Sequence, residues 1–336
     1  MTRNSDNPFR SRRRLVLGAV ASASTAMLPG LVAAQSSAWP NRPIRMVVGF
    51  PAGGVTDVAA RVVAQPMGDR LGQPVVIDNK PGAAGNIAAD LVAKAVPDGY
   101  TILLGTNASH GSNPSLYRNV PFDPIRDFEP IGMLATITNV LVVHPSVPAN
   151  TVAELIALMK AKPGHFNYAS AAVGSAGHLI GEMFRMRTGV DIVHVAYKGA
   201  APMQVDLLAG RVQLSFATLQ TVLRDVGSGQ LRALAVTSPQ RIPQIPNAPT
   251  LSETVLPGFT ADAWFALFAP AKTPADIITQ LNSAAAQAVA IPDVRERLQS
   301  QGFAIATSTP DELRRFVVSE VPRWAEVVKA SGARAE

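Results

Sequence analysis

The chain is 336 residues long, with 30 Lys and Arg, 24 Asp and Glu, and no cysteine. The missing thiols exclude a disulfide framework, a Cys-ligated zinc or iron–sulfur site and a thiol nucleophile, while 47% apolar against 16% charged residues excludes a disordered chain. A net charge of +6 raises the question of a nucleic-acid partner, and the position of that charge along the chain answers it.

Residues 1–34 read as a cleavable export signal. Arg3, Arg10, Arg12, Arg13 and Arg14 face a single acid, Asp6, and precede an apolar, small-residue stretch that ends Leu31-Val32-Ala33-Ala34. A basic head, a short apolar body and small residues before the cut place cleavage after Ala34. Ser11-Arg12-Arg13-Arg14-Leu15-Val16-Leu17 resembles a twin-arginine signal. The stretch is rich in Ala, Ser and Gly rather than Leu or Ile, which makes it a poor membrane anchor. Without it the chain carries only +2, and the nucleic-acid reading loses its support.

From Trp39 the sequence alternates short apolar runs with helical patterns. Ile44–Phe50 reads as a buried strand, and Val55, Val58, Ala59, Val62, Val63 and Met67 at helical spacing predict a helix over 55–71. A strand at 75–78, a helix at about 85–96, a turn at Pro97-Asp98-Gly99 and a strand at 100–105 follow, the β-α-β-α-β order of a parallel sheet. A long β-type stretch covers 131–144. Thr151-Val152-Ala153-Glu154 then has the spacing of a capping box, and the alternation resumes. A strand is expected at 166–170, a helix over 176–188, a strand at 192–196, a helix over 202–210, and strands at 212–217, 231–238 and 263–269. Thr273-Pro274 reads as N-cap and first residue of a helix to about 290, and 310–330 as helical. Two α/β sheets are expected, with crossings near 140–146 and 260–268. That pattern gives one lobe from 39–141 plus 265–336, a second from 142–264, and a ligand cleft between them.

Two strand-to-helix junctions carry the candidate chemistry. In Gly49-Phe50-Pro51-Ala52-Gly53-Gly54-Val55-Thr56-Asp57, two glycines let the backbone approach a ligand, and the helix start offers free N–H groups to an anion. Thr56 is a hydroxyl donor, and Asp57 caps the helix or orients the loop. The spacing fits neither a dinucleotide fingerprint nor a P-loop. In the second half, Ser170-Ala171-Ala172-Val173-Gly174-Ser175-Ala176-Gly177-His178 repeats the pattern, with Ser170, Gly174 and Ser175 as donors and His178 either buried or in contact with ligand. Thr106 and Asn107 lie at a strand end, and Tyr197 before Lys198-Gly199 offers a lid hydroxyl. Phe50, Tyr197 and Trp264 are either cleft walls or core. No metal-ligand spacing or nucleophile elbow is present. The one Ser–His pair close in sequence, Ser175 with His178, lacks a recognisable third member.

Read in order, several segments together resemble one family. They are Trp39-Pro40 with Pro43-Ile44, Pro51-Ala52-Gly53-Gly54 with Asp57 and Arg61, Pro81-Gly82-Ala83-Ala84-Gly85, and Pro97-Asp98-Gly99-Tyr100-Thr101. Gly174-Ser175 with His178-Leu179 and Glu182, Tyr197-Lys198-Gly199, and Pro249-Thr250 with Glu253 complete the set. Residues 39–330 so resemble the periplasmic solute receptors of tripartite tricarboxylate transporters, the Bug family. The resemblance implies a two-lobed type II periplasmic-binding-protein fold, each lobe a sheet flanked by helices. It also implies capture of a small carboxylate between the Gly53–Asp57 and Ser170–His178 loops. A non-enzymatic periplasmic monomer is expected, with no cofactor or metal. Its partners would be a di- or tricarboxylate, amino acid or aromatic acid, and then membrane permease subunits or a sensor kinase. Binding residues expected from both arguments are Phe50, Ala52, Gly53, Gly54, Thr56, Asp57, Thr106, Asn107, Ser170, Ala172, Gly174, Ser175, His178 and Tyr197. Gln213 and Asn247-Ala248 depart from the family's usual Asp and Asp-Val. A ligand sensor, or a hydrolase using Ser175 on the same fold, are the alternatives.

Overall fold

A computed structural model describes residues 39–335, so the export-signal reading and its cut after Ala34 lie outside the described residues. In chain order the elements are β1 (Ile44–Val48), α1 (Val55–Leu71), β2 (Val75–Asn79), α2 (Asn86–Ala93), β3 (Thr101–Thr106), α3 (Asn113–Leu116), β4 (Phe128–Ile137) and β5 (Asn139–Val143). There follow α4 (Val152–Ala161), β6 (Phe166–Ser170), α5 (Ala176–Thr188), β7 (Ile192–Ala196), α6 (Ala200–Leu208), β8 (Leu214–Thr218), α7 (Leu219–Gly227) and β9 (Arg232–Val236). The last are β10 (Ala263–Pro270), α8 (Ala275–Ala290), α9 (Pro292–Ser300), β11 (Phe303–Ile305) and α10 (Pro310–Ser331).

These build two sheets flanked by helices. One has the order β11-β4-β10-β3-β1-β2 and the other β7-β6-β8-β5-β9. The parallel strands β1, β2, β3 and β6, β7, β8 come from the alternating segments, and the antiparallel partners β10, β4, β5 and β9 come from the crossings. Strands buried on both faces read as unbroken apolar runs, and β10, with all of Ala263–Pro270 buried, is the clearest case. Helix α1 seats Ala59, Ala60, Val63 and Met67 in the first lobe's core and stops at Gly72, whose φ of +72° suits a residue without a Cβ.

The crossings differ from expectation. β5 belongs whole to the second sheet, so the chain passes between sheets at Thr138, and the boundary expected after residue 141 falls inside a strand. The return runs from Thr237 to Asp262. There Asp262 joins the two crossings, accepting from Thr237 Oγ1 at 2.7 Å and Thr138 Oγ1 at 3.2 Å. Helix α10 also departs from a one-lobe assignment. Its Leu313 and Val317 pack in a first-lobe cluster, whereas Trp324, Val327 and Val328 pack with Leu141, Tyr168 and Phe216 of the second lobe. Arg323 on the same helix donates to Glu320 and to the Thr260 carbonyl.

Two caps were placed differently from the reading of the sequence. Thr151 Oγ1 accepts from Glu154 N–H at 3.1 Å, but Glu154 reaches back to Asn150 N–H at 2.7 Å instead of Thr151. Helix α8 starts one residue later than expected, with Pro274 as N-cap and Thr273 donating to the Pro270 carbonyl at 2.8 Å.

Candidate functional site

The first loop is held open by a side chain turned inward. Asp57, 1% exposed, accepts from Gly53 N–H at 2.8 Å, Arg61 Nε at 2.8 Å and Asn79 Nδ2 at 2.9 Å. Asn79 Nδ2 also donates to the Phe50 carbonyl at 3.1 Å, tying both ends of the loop to β2. Burial pushes the Asp57 carboxyl up, but the bonds from Arg61, Gly53 and Asn79 outweigh it and hold the group below the usual carboxylate range. Its charge is therefore spent on the loop. Gly53 has a φ of +80° with open space where a Cβ would be, and Gly54 at the N-cap gives α1 no side-chain cap. The N–H groups of Val55 and Thr56 are left at a positive helix end. Ala52 is exposed, Thr56 is buried in the first turn, and Phe50 leans on the first lobe's core.

The second loop is fastened by two stacked histidines, of which the sequence suggested one. His178 and His194 lie 3.8 Å apart with rings inclined by 12°. His178 Nδ1 accepts from Gly174 N–H at 2.9 Å, which puts its proton on Nε2. Ser170 Oγ donates to the Ala172 carbonyl at 2.9 Å; with its one proton so used, it accepts from His194 Nε2 at 2.7 Å. Burial, then Arg185 for His178 and the His178 ring for His194, push both down to about 4, so both are neutral at pH 7. Ser170 and Gly174 are thus spent inside the loop rather than free as ligand donors. Ser175 caps α5 by accepting from His178 N–H at 3.4 Å, which leaves its hydroxyl proton available. The ring of His178 meets Gly174, not Ser175, so among the described residues the pair lacks the ring-to-hydroxyl hydrogen bond of a Ser–His nucleophile. Tyr197 N–H donates to the Ser170 carbonyl at 2.9 Å, while its hydroxyl donates to Asp206 at 2.9 Å and is not a free lid group. Trp264, 1% exposed, is core and donates to Glu320 at 3.2 Å.

A segment of which the sequence marked only the start, as polar groups at a strand end, connects the two loops. Thr106 ends β3 with its side-chain hydroxyl buried and without a partner among the described residues, and Asn107 leads into a π-helical turn, Ala108–Ser112, that runs into α3. Ser109 sits against Gly85, which also touches Phe50, and Leu116 packs so closely on Gly174 that a Cβ there would lie 2.3 Å from Leu116 Cδ2. Residues 108–116 therefore touch the surroundings of the first loop at one end and the second loop at the other. Polar composition was the only sequence signal for this segment, because a single π-turn carries no hydrophobic period.

The site now consists of two βα loops, each organised from within, beside helix starts that present backbone N–H groups. The profile of the tripartite tricarboxylate transporter family receptor matches residues 59–333. BugT of Bordetella pertussis (strain Tohama I) is 42% identical over 297 residues, covering 88% of this chain and 91% of the relative. The structure of R. palustris Rpa4515 with adipate is 39% identical with a TM-score of 0.74, covering 88% of this chain and 99% of that one. MatC (Rpa3494) from Rhodopseudomonas palustris with bound malate is 32% identical with a TM-score of 0.70, covering 86% and 99%. A profile spanning most of the chain and relatives of this identity make the chain a member of the tripartite tricarboxylate transporter receptor family, with its two-lobed periplasmic-binding-protein fold.

Proposed function

We propose that this protein is a periplasmic receptor that captures a small carboxylate between its lobes and delivers it to the permease subunits of a tripartite transporter. The observation that carries this reading is the pair of glycine-bearing loops, one per lobe, that lead into α1 and α5. An anion there meets backbone N–H groups and the positive ends of two helices. The adipate and malate held by two relatives support the same ligand class. Capture closes the lobes about the crossings at Thr138 and Thr237–Asp262. Residues 1–34 direct export and are removed after Ala34, and the receptor works as a monomer.

The test is a thermal-shift and calorimetric screen over mono-, di- and tricarboxylates, amino acids, aromatic acids, amines and sugars. A true ligand at about 100 times its Kd adds about 2.7 kcal/mol of apparent stability. Binding of an amine or a sugar, with no carboxylate bound, would overturn the reading.

A further inference from the structure

A cavity of about 470 Å³ lies against the two crossings, and none of the residues of the two βα loops lines it. Strands β4, β10 and β11 and helix α10 contribute to its lining, as do residues 238–243 after β9 and 260–262 of the return crossing. Both lobes therefore supply it, and its volume is that of a small-molecule site. Trp264 and Phe316, edge to face with ring centres 5.5 Å apart, line it together with Ile242 and Ile305.

Among the described residues, four charged side chains line the cavity, and three of them are committed to one another or to neighbours. Glu320 accepts from Arg323 at 2.7 Å and from the Trp264 and Trp324 indoles at 3.2 Å and 2.8 Å. Arg323 gives its other terminal nitrogen to the Thr260 carbonyl, and Arg241 pairs with Glu253 at 3.0 Å. Asp262 is the exception. It is half-buried, and the groups that donate to it are the neutral hydroxyls of Thr237 and Thr138, with no cation beside it among the described residues. Even those donors are divided, because Thr237 Oγ1 has one proton and also faces the Asn139 carbonyl at 3.1 Å. A carboxylate has about four lone-pair positions, so this one is short of donors, and an uncompensated charge away from water is costly.

We propose that this cavity binds a small organic ammonium ion, whose charge pairs with Asp262 and whose apolar body lies against Trp264 and Phe316. An ammonium group brings three N–H donors and the one charge that the lining lacks. The faces of the two aromatic rings attract the same charge. An anionic guest meets Asp262 as a like charge and finds both arginines already paired. A neutral alcohol gives the carboxylate one donor and leaves its charge without a counterpart. The site is independent of the receptor reading, since it takes the opposite charge on other residues.

The experiment measures Kd by calorimetry at about pH 8 for 2-phenylethylamine beside 2-phenylethanol, and for hexylamine beside 1-hexanol, pairs that keep the body and change the head. At least one amine should bind about tenfold more tightly than its alcohol. Asp262→Asn, equal in shape and neutral, should bring that amine within about threefold of the alcohol. Thr136→Lys, which carries a tethered ammonium group into the same cavity, should do likewise and keeps the test open should the asparagine variant misfold. Burial pushes the Asp262 carboxyl up to about 6, so at pH 5 it is about nine-tenths protonated. The amine should therefore weaken about tenfold between pH 8 and pH 5 in the unaltered protein and hold steady in Asp262→Asn. An amine bound no better than its alcohol, or an advantage that Asp262→Asn leaves intact, overturns the site. Either result leaves the carboxylate receptor reading standing, because its loops lie elsewhere.

Discussion

Asp262 gives the sharpest energetic test of the structure. It joins the two crossings through Thr237 and Thr138, and burial, only partly offset by those two hydrogen bonds, pushes its carboxyl up to about 6 from 3.8. The ionised form is thus penalised in the folded state. The stability it contributes is fully present below about 3.8 and is lost as pH rises through about 6. A rise of roughly two units corresponds to about 3 kcal/mol at neutral pH, and partial exposure reduces this to about 1–3 kcal/mol. Asp262→Asn removes the charge while keeping an acceptor for Thr237 and offering a donor to Thr138. Urea denaturation of both proteins at about pH 4 and about pH 8 should show a difference near zero in acid and a gain of about 1–3 kcal/mol for the variant in base. The raw curves will both bend in acid as buried histidines charge, and subtraction cancels that common contribution. A variant that is less stable by the same amount at both pH values would refute the argument, because the carboxylate would then be worth its hydrogen bonds and not cost its charge.

Further outcomes follow from the loops. Because His178 and His194 are depressed to about 4, the stability they contribute is present above about 6.5 and is lost as pH falls through about 4. A melting-temperature profile should fall across that range, and His194→Asn should flatten it, since one ring then charges without a cationic neighbour 3.8 Å away. Gly53→Val meets a φ of +80° in open space, so it should cost about 1 kcal/mol of stability yet abolish carboxylate binding in calorimetry. Gly174→Ala combines a φ of +75° with Leu116 at 2.3 Å and should cost about 2–4 kcal/mol by denaturant titration.

The fold was legible because its period changes are strong. Strand runs such as Phe166–Ser170 and Ile192–Ala196 and the helix Ala176–Thr188 fall where apolar spacing put them. The crossing was misplaced because β4 and β5 share one apolar run, and nothing local distinguishes Thr138 from its neighbours. Among the described residues four elements were missed: α3 with four residues and β11 with three are too short to show a period, whereas α7 and α9, nine residues each, were passed over between stronger segments. In the site, the glycines were visible because their backbone demands are local. The partners were not: Asp57 with Asn79, His178 with His194 and Asp262 with Thr138 meet only through tertiary packing. Hydrogen-bond direction was equally hidden, and it is direction that turns Ser170 and the Tyr197 hydroxyl away from a ligand.

The return of the chain to its first sheet has a consequence for synthesis. Every strand of the second sheet lies between residues 139 and 236, one unbroken stretch of chain. The first sheet lacks β10, the strand between β3 and β4, until residue 270 has emerged, and α10 supplies Trp324, Val327 and Val328 to the second lobe's core later still. On the ribosome, then, the lobe that begins second is the first with a complete sheet. The lobe that begins first waits, with the apolar edges of β3 and β4 exposed, for a strand made more than a hundred residues after β4. Final docking of the two halves is therefore reserved for the full-length chain, and a receptor truncated before α10 would leave the synthetic machinery with neither core closed.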